Sequence, residues 1–167
     1  MPLKAGGEFA LVEQKLVAAL DLPGQPVKRG SMAHDHDMMM ALADAAAQRG
    51  DANALHQYAP RLEELAMRDG HRLYLAIAHR AWGVAYRLEN EFAQADTRLH
   101  QALELFNALE TRWQAGRTLF ELAHVERARQ NLPAARDYLA QALAHFKAMR
   151  ATPDAERARA ALATLNG

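Results

Sequence analysis

The sequence predicts an all-α fold, a stack of antiparallel helix hairpins, and three observations carry that expectation. The composition is rich in Ala, Leu, Arg, Glu and Gln and poor in β-branched residues, which favours helix along most of the chain. Residues that stop and start helices recur at even spacing. The chain also repeats itself: "AWGVAYRLENEFAQADTRLHQAL" at 81–103 is followed forty positions later by "ELAHVERARQNLPAARDYLAQAL" at 121–143. A period near forty is that of a helix pair.

The elements follow in chain order. Residues 8–20 carry Phe9, Val12, Leu16 and Leu20 on one stripe of an amphipathic helix. Residues 21–30, "DLPGQPVKRG", hold two prolines and two glycines and read as a linker. Gly30-Ser31-Met32 has the form of a cloning scar, which would make Met32 a native start and 1–30 an appended segment. Seven helices are expected after it, near 33–49, 52–68, 71–88, 91–109, 112–129, 132–149 and 153–165. Gly50-Asp51 ends one helix and caps the next. Asp69-Gly70 stops the second, and Asn90 turns the third into the fourth. Thr111 and Gln114 have the spacing of a capping box. Asn131-Leu132-Pro133 and Thr152-Pro153-Asp154 open the last two helices, since proline is tolerated in a first turn. Pro60 falls inside the second helix, where it removes a backbone donor and is expected to kink it.

These segments pair into repeats at about 31–70, 71–110 and 111–150, with a capping helix at 152–165. The domain is therefore 31–167, preceded by the helix and linker of 1–30. The matches between repeats are positional. Trp82 aligns with Leu122 and Leu42, and Gly83 with Ala123 and Ala43. Ala95, Leu99, Ala102, Leu103 and Phe106 align with Ala135, Leu139, Ala142, Leu143 and Phe146. Small residues at Gly83 and Ala102 let two helices approach, while Trp82, Leu99 and Phe106 fill the space between hairpins. No hairpin buries its apolar face alone, so neighbours must stack.

Trp82-Gly83-x-x-Tyr86 followed by Ala95-x-x-x-Leu99-x-x-Ala102 resembles the tetratricopeptide repeat, and the resemblance covers about 31–165. The third unit keeps Leu122-Ala123, Ala135, Leu139 and Ala142 but places Glu126 where the pattern has tyrosine. The first unit keeps Leu42-Ala43, Gly50 and Leu62, with Leu55 and Ala59 swapped in size. The helices are longer than in the 34-residue form and the closing proline is missing. That is similar to the longer repeats in sensor arms of bacterial signalling ATPases, transcription regulators and cyclase fusions. The resemblance implies a right-handed superhelical α-solenoid whose concave face, lined by the first helix of each hairpin, binds partners.

Carried over from the Gly83 anchor, the lining positions are Ile77, Arg80, Val84 and Arg87 in the second unit. In the third they are Arg117, Phe120, His124 and Arg127. Each set is spaced by three or four and forms one stripe. Arginine forks suit carboxylates, and the apolar members suit side chains, so the resemblance implies a site for an acidic or C-terminal peptide. The plainer reading is a solvated, Arg-rich helix face. The first-unit equivalents, Asp37, Met40, Asp44 and Gln48, reverse the sign of the groove along its length. The two-carboxylate clamp of chaperone-binding members is not matched, because Val84 and His124 stand in its asparagine place.

The chain supplies little else for chemistry. Lysine plus arginine equals aspartate plus glutamate at 20 each, which argues against a surface that tracks nucleic acid or anionic lipid along its whole extent. There is no cysteine, which excludes disulfides and thiol chemistry and fits a cytoplasmic location. No apolar run approaches a membrane span, and no secretory signal opens the chain. Ser31 is the only serine and lacks a catalytic frame, and phosphate-binding glycine loops are absent. Glu63 and Glu64 read as residues that solvate an exposed helix face. His34 and His36, in "HDHDMMM", are the one local cluster of metal-ligand types, but two positions apart they diverge on a helix. A dipole-stabilised acidic helix start followed by core methionines is the alternative.

The expectation is a non-enzymatic interaction module without cofactor, binding a protein or peptide in signalling or regulation, with neither nucleic acid nor membrane as partner. Two alternatives stand beside it. One is homo-oligomeric self-assembly through end repeats, or through exchange of the 8–20 helix between two chains, the same helix otherwise capping the first hairpin. The other is a small-molecule or metal sensor.

Overall fold

The computed structural model describes residues 32–165 together with Leu11, Gln14 and Lys15, which are helical and exposed. The amphipathic stripe of 8–20 and the linker at 21–30 lie outside the described residues. Seven helices span 32–164: α1 Met32–Arg49, α2 Ala52–Arg68, α3 Arg72–Leu88, α4 Phe92–Ala108, α5 Arg112–Ala128, α6 Leu132–Ala148 and α7 Thr152–Thr164. Among the described residues there is no strand, and no helix is long and apolar enough to cross a membrane.

The turns are stricter than the sequence suggests. Positive φ recurs every twenty residues, at Gly50, Gly70, Asn90, Glu110, Gln130 and Arg150, with values from 54° to 66°. Each is followed by the same pair of hydrogen bonds. At the third turn Asn90 N donates to Arg87 O at 3.1 Å and Glu91 N to Tyr86 O at 2.8 Å. At the last, Arg150 N donates to Lys147 O and Ala151 N to Phe146 O. This is a Schellman turn, which satisfies terminal carbonyls through one left-handed residue. Glycine and asparagine take that conformation readily, whereas Glu110, Gln130 and Arg150 take it against their intrinsic preference. A left-handed turn of constant shape, two residues long between α1 and α2 and three between each later pair, joins six helices of 17 or 18 residues and generates a hairpin array.

The start signals need one correction. Asp51 caps α2 as expected, its carboxylate accepting from Ala54 N at 3.0 Å. Thr111 forms no capping box: its hydroxyl instead donates to Phe106 O at 3.1 Å, closing the preceding turn, and no side chain caps α5. Gln114 instead accepts from the buried Arg80 guanidinium, 2.6 Å away.

Consecutive helices pack along the whole array, and α1 also packs on α3, and α3 on α5. The second helices, α2, α4 and α6, make no comparable contact with one another among the described residues. The first helices therefore occupy the tighter, inner side of the stack. The repeat positions are the core: Leu99, Ala102 and Phe106 are fully buried in α4, and Leu139, Ala142 and Phe146 nearly so in α6. In α2 the corresponding residues exchange sizes in pairs, Leu55 with Ala59 and Leu62 with Ala66, and all four are buried. Swapping large and small between adjacent turns keeps the packed volume while moving the knob by one turn.

Candidate functional site

The first helices of all four helical layers wall one cavity of about 410 Å³. Asp44 and Gln48 come from α1, Arg80, Val84 and Arg87 from α3, and Trp113, Arg117, Phe120, Glu121 and His124 from α5. Asp154 and Arg157 come from α7. Six of the eight lining positions read from the sequence thus meet in one place. Ile77 does not: it is buried in the core at 1% exposure, because α3 turns that flank toward its neighbours. Arg127 does not either. It is exposed beyond the cavity, beside a small recess with Leu139 and Leu165. Both lie at the ends of their stripes, Ile77 one turn before Arg80 and Arg127 one turn past His124, outside the span of each helix that reaches the cavity.

Arg80 organises the floor. Its side chain is 5% exposed, its Nη1 donates to Gln114 Oε1 at 2.6 Å, and its Nη2 lies 3.4 Å from Asp44 Oδ1. Arg117 Nη1 reaches the other oxygen, Asp44 Oδ2, at 3.1 Å. One carboxylate on α1 thus holds guanidinium groups from α3 and α5, and one glutamine on α5 holds an arginine on α3. Burial, then the neighbouring charge of Arg117, pulls the Arg80 guanidinium down to about 10, against the opposing pull of Asp44. It stays cationic at neutral pH.

The rim is aromatic. Arg117 lies over the Trp113 ring at 4.8 Å and Arg157 over Phe120 at 5.4 Å, both in cation–π range. Trp113 Nε1 donates to Asp154 Oδ2 at 2.8 Å, tying α5 to α7. On the far wall Arg87 Nη2 stands 3.3 Å from Glu121 Oε2, yet among the described residues neither Arg87 Nε nor Glu121 Oε2, both buried, has a hydrogen-bond partner. His124 is held below the ordinary histidine range, chiefly by burial.

The sequence thus pointed to Arg80, Arg87 and Arg117 but not to their internal partners. Asp44 and Gln48 were visible only as a change of sign along the groove. Trp113, Gln114, Glu121, Asp154 and Arg157 carried no signal beyond helical position, because their role depends on how α5 and α7 face α1 and α3. The cavity wall is more than a stripe of arginines. It is a set of part-neutralised forks beside two aromatic rings.

One further expectation is corrected, at Glu63. Glu63 does not merely solvate its helix: it is half-buried, accepts from Trp82 Nε1 at 2.8 Å and pairs with Arg98 Nη1 at 2.6 Å. Glu64 is exposed. His36 is buried at 2% exposure, stacked on Tyr74 at 4.8 Å, with its Nε2 3.3 Å from Asp69 Oδ2. The side chain of His34 lies outside the described residues. Among those described, no three His, Asp or Glu side chains cluster as a metal site would require.

Compared with known proteins, the chain matches no family model and no curated protein.

Proposed function

We propose that the chain is a non-enzymatic, tetratricopeptide-like binding module that takes a protein or peptide segment against the inner faces of its first helices, in signalling or regulation. The observation behind this reading is the cavity itself, to which every helical layer contributes a charged or aromatic group. Such convergence of polar groups in a concave, partly apolar recess is the usual setting of a ligand site. Guanidinium forks offer planar recognition of carboxylates, and Trp113 and Phe120 offer flat apolar faces. The walls come from stacked hairpins, so the groups are held in place before binding and little ordering entropy remains to be lost.

The test is selection of binders from a random peptide library, followed by mapping of the bound peptide through backbone amide shifts. The reading expects shifts concentrated in α1, α3, α5 and α7, and loss of binding in Ala47→Phe, which fills the cavity, and in Arg117→Glu, with helicity unchanged. Shifts confined to α2, α4 and α6 would reject it. A small-molecule ligand is the second reading, favoured by the volume of about 410 Å³, which falls in the size range of small-ligand sites. Light scattering on the same samples addresses self-assembly, which would bury an end of the stack rather than the cavity.

A further inference from the structure

Resting on the cavity as the binding site, we infer that its ligand carries a single negative charge on an aromatic or apolar body, and that Asp44 sets this preference against dianions. The wall holds four guanidinium groups, Arg80, Arg87, Arg117 and Arg157, and three carboxylates, Asp44, Glu121 and Asp154. One positive charge is left over. His124 adds none at neutral pH, since burial favours its uncharged form. A monoanion therefore brings the recess to neutrality, whereas a phosphate ester or a doubly acidic group leaves a partly desolvated negative charge uncompensated, which is costly away from water. A neutral ligand leaves the excess cation unmatched.

Asp44 is the decisive carboxylate for a geometric reason. Its two oxygens engage two different arginines, Arg80 at 3.4 Å and Arg117 at 3.1 Å, so it occupies the forks that would otherwise face an incoming anion together. Among the described ion pairs Glu121 engages one arginine, Arg87, at 3.3 Å, and Asp154 engages Arg157 at the rim at 3.5 Å. Neutralising Asp44 releases Arg80 Nη2 and Arg117 Nη1 at once, with Arg80 Nη1 still on Gln114, and raises the excess charge by one, which makes the recess a dianion site. The aromatic requirement comes from Trp113 and Phe120, each of which already stacks under a guanidinium and leaves a flank toward the cavity.

The test uses three probes with one ring system and different charge: 2-naphthamide, 2-naphthoate and 2-naphthyl phosphate. Binding to the full chain is followed by amide shifts at neutral pH and fixed ionic strength. Wild type is expected to bind the naphthoate at least fivefold more tightly than either of the others. Asp44→Asn is expected to raise phosphate affinity about tenfold and to reverse the order of naphthoate and phosphate. Should Asp44→Asn lose its helical circular dichroism, Asp154→Asn removes a part-buried carboxylate from the rim while keeping an acceptor for Trp113 Nε1, and should move the same ratio the same way by a smaller factor. A blocked Ala-Phe-Glu-Ala peptide identifies the source. If it binds more tightly than 2-naphthoate the carboxylate belongs to a protein segment, and if less tightly to a free acid; either order upholds the monoanion preference. Probes that shift cavity residues with no preference for the naphthoate, or with a ratio unmoved by both variants, overturn the inference about Asp44 and leave the cavity reading standing. Probes that shift no cavity residue bring down both.

Discussion

Gly83 on α3 and Leu99 on α4 touch so closely that a methyl group at position 83 has no room: a Cβ there would stand 2.5 Å from Leu99 Cγ and 3.3 Å from the Ala95 carbonyl oxygen. The leucine could rotate away, but it is itself fully buried, and the carbonyl belongs to a helix backbone that cannot yield alone. Overpacking of this kind costs about 1–3 kcal/mol. Alanine regains roughly 1 kcal/mol of helix propensity. Gly83→Ala should therefore destabilise by about 1 kcal/mol and Gly83→Val by more, read as a lower urea midpoint at unchanged slope. An unchanged midpoint in Gly83→Val would mean that α3 and α4 pack less tightly than described.

Glu63 and Glu64 are neighbours with opposite fates. Glu63 receives Trp82 and Arg98, while Arg98 also lies over the Trp82 ring at 5.7 Å and 2.8 Å from His79 Nδ1. Removing it leaves a half-buried indole N–H and a guanidinium without their acceptor, which costs roughly 1–3 kcal/mol. Glu63→Ala should lower stability by that amount, and Glu64→Ala by less than about 0.5 kcal/mol. Equal effects would contradict the network.

The contrast shows what could be read from the chain before its fold. The forty-residue period, the helix boundaries and the core positions were legible because they are local: one apolar stripe and one stop signal per helix. Glu63 was misread for the opposite reason. Its partners Trp82 and Arg98 lie on two other helices, and nothing in "RLEELAM" marks one glutamate over the next. Gln114 was misassigned to a cap in the same way, because Arg80 competes for its side chain from a different hairpin. At the cavity, the resemblance to the tetratricopeptide repeat, carried over from Gly83, pointed to Arg80, Arg87 and Arg117 together, but the carboxylates that divide their charge become visible only when α1, α3, α5 and α7 are brought face to face.

The six left-handed turn residues give a third prediction. Gly50 and Gly70 fit that conformation without strain, whereas Glu110 and Arg150, each with φ of 54°, carry its cost. A non-glycine residue pays about 1–2 kcal/mol in this region, against roughly 0.5–1 kcal/mol for the extra freedom that glycine has when unfolded. Glu110→Gly and Arg150→Gly should each raise stability by about 0.5–1 kcal/mol, and Gly50→Ala should lower it by about 1 kcal/mol. A Cβ at position 50 would meet only Leu88 Cδ2, at the ordinary contact distance of 3.7 Å, so that loss would come from the backbone. Thermal midpoints of the three variants decide it, and glycine substitutions that lower the midpoint would show that these turns are not strained.

The last prediction concerns pH. His124 is held below the ordinary histidine range by burial first, with Arg87, Arg127 and Arg157 pushing the same way and Glu121 opposing. His79 is lowered likewise by burial and by Arg98, against Glu63. Below about pH 6.5 these two imidazoles take up protons in the unfolded chain before they do so in the folded one. The unfolded state then binds more protons, so stability rises with pH across this window and is lost as pH falls through it. Urea midpoints measured from pH 7.5 down to 5.5 should decline in the wild type. His124→Gln and His79→Gln should each remove part of that decline, and the double variant should be the flattest. If the double variant declines as steeply as the wild type, neither imidazole is buried in its neutral form.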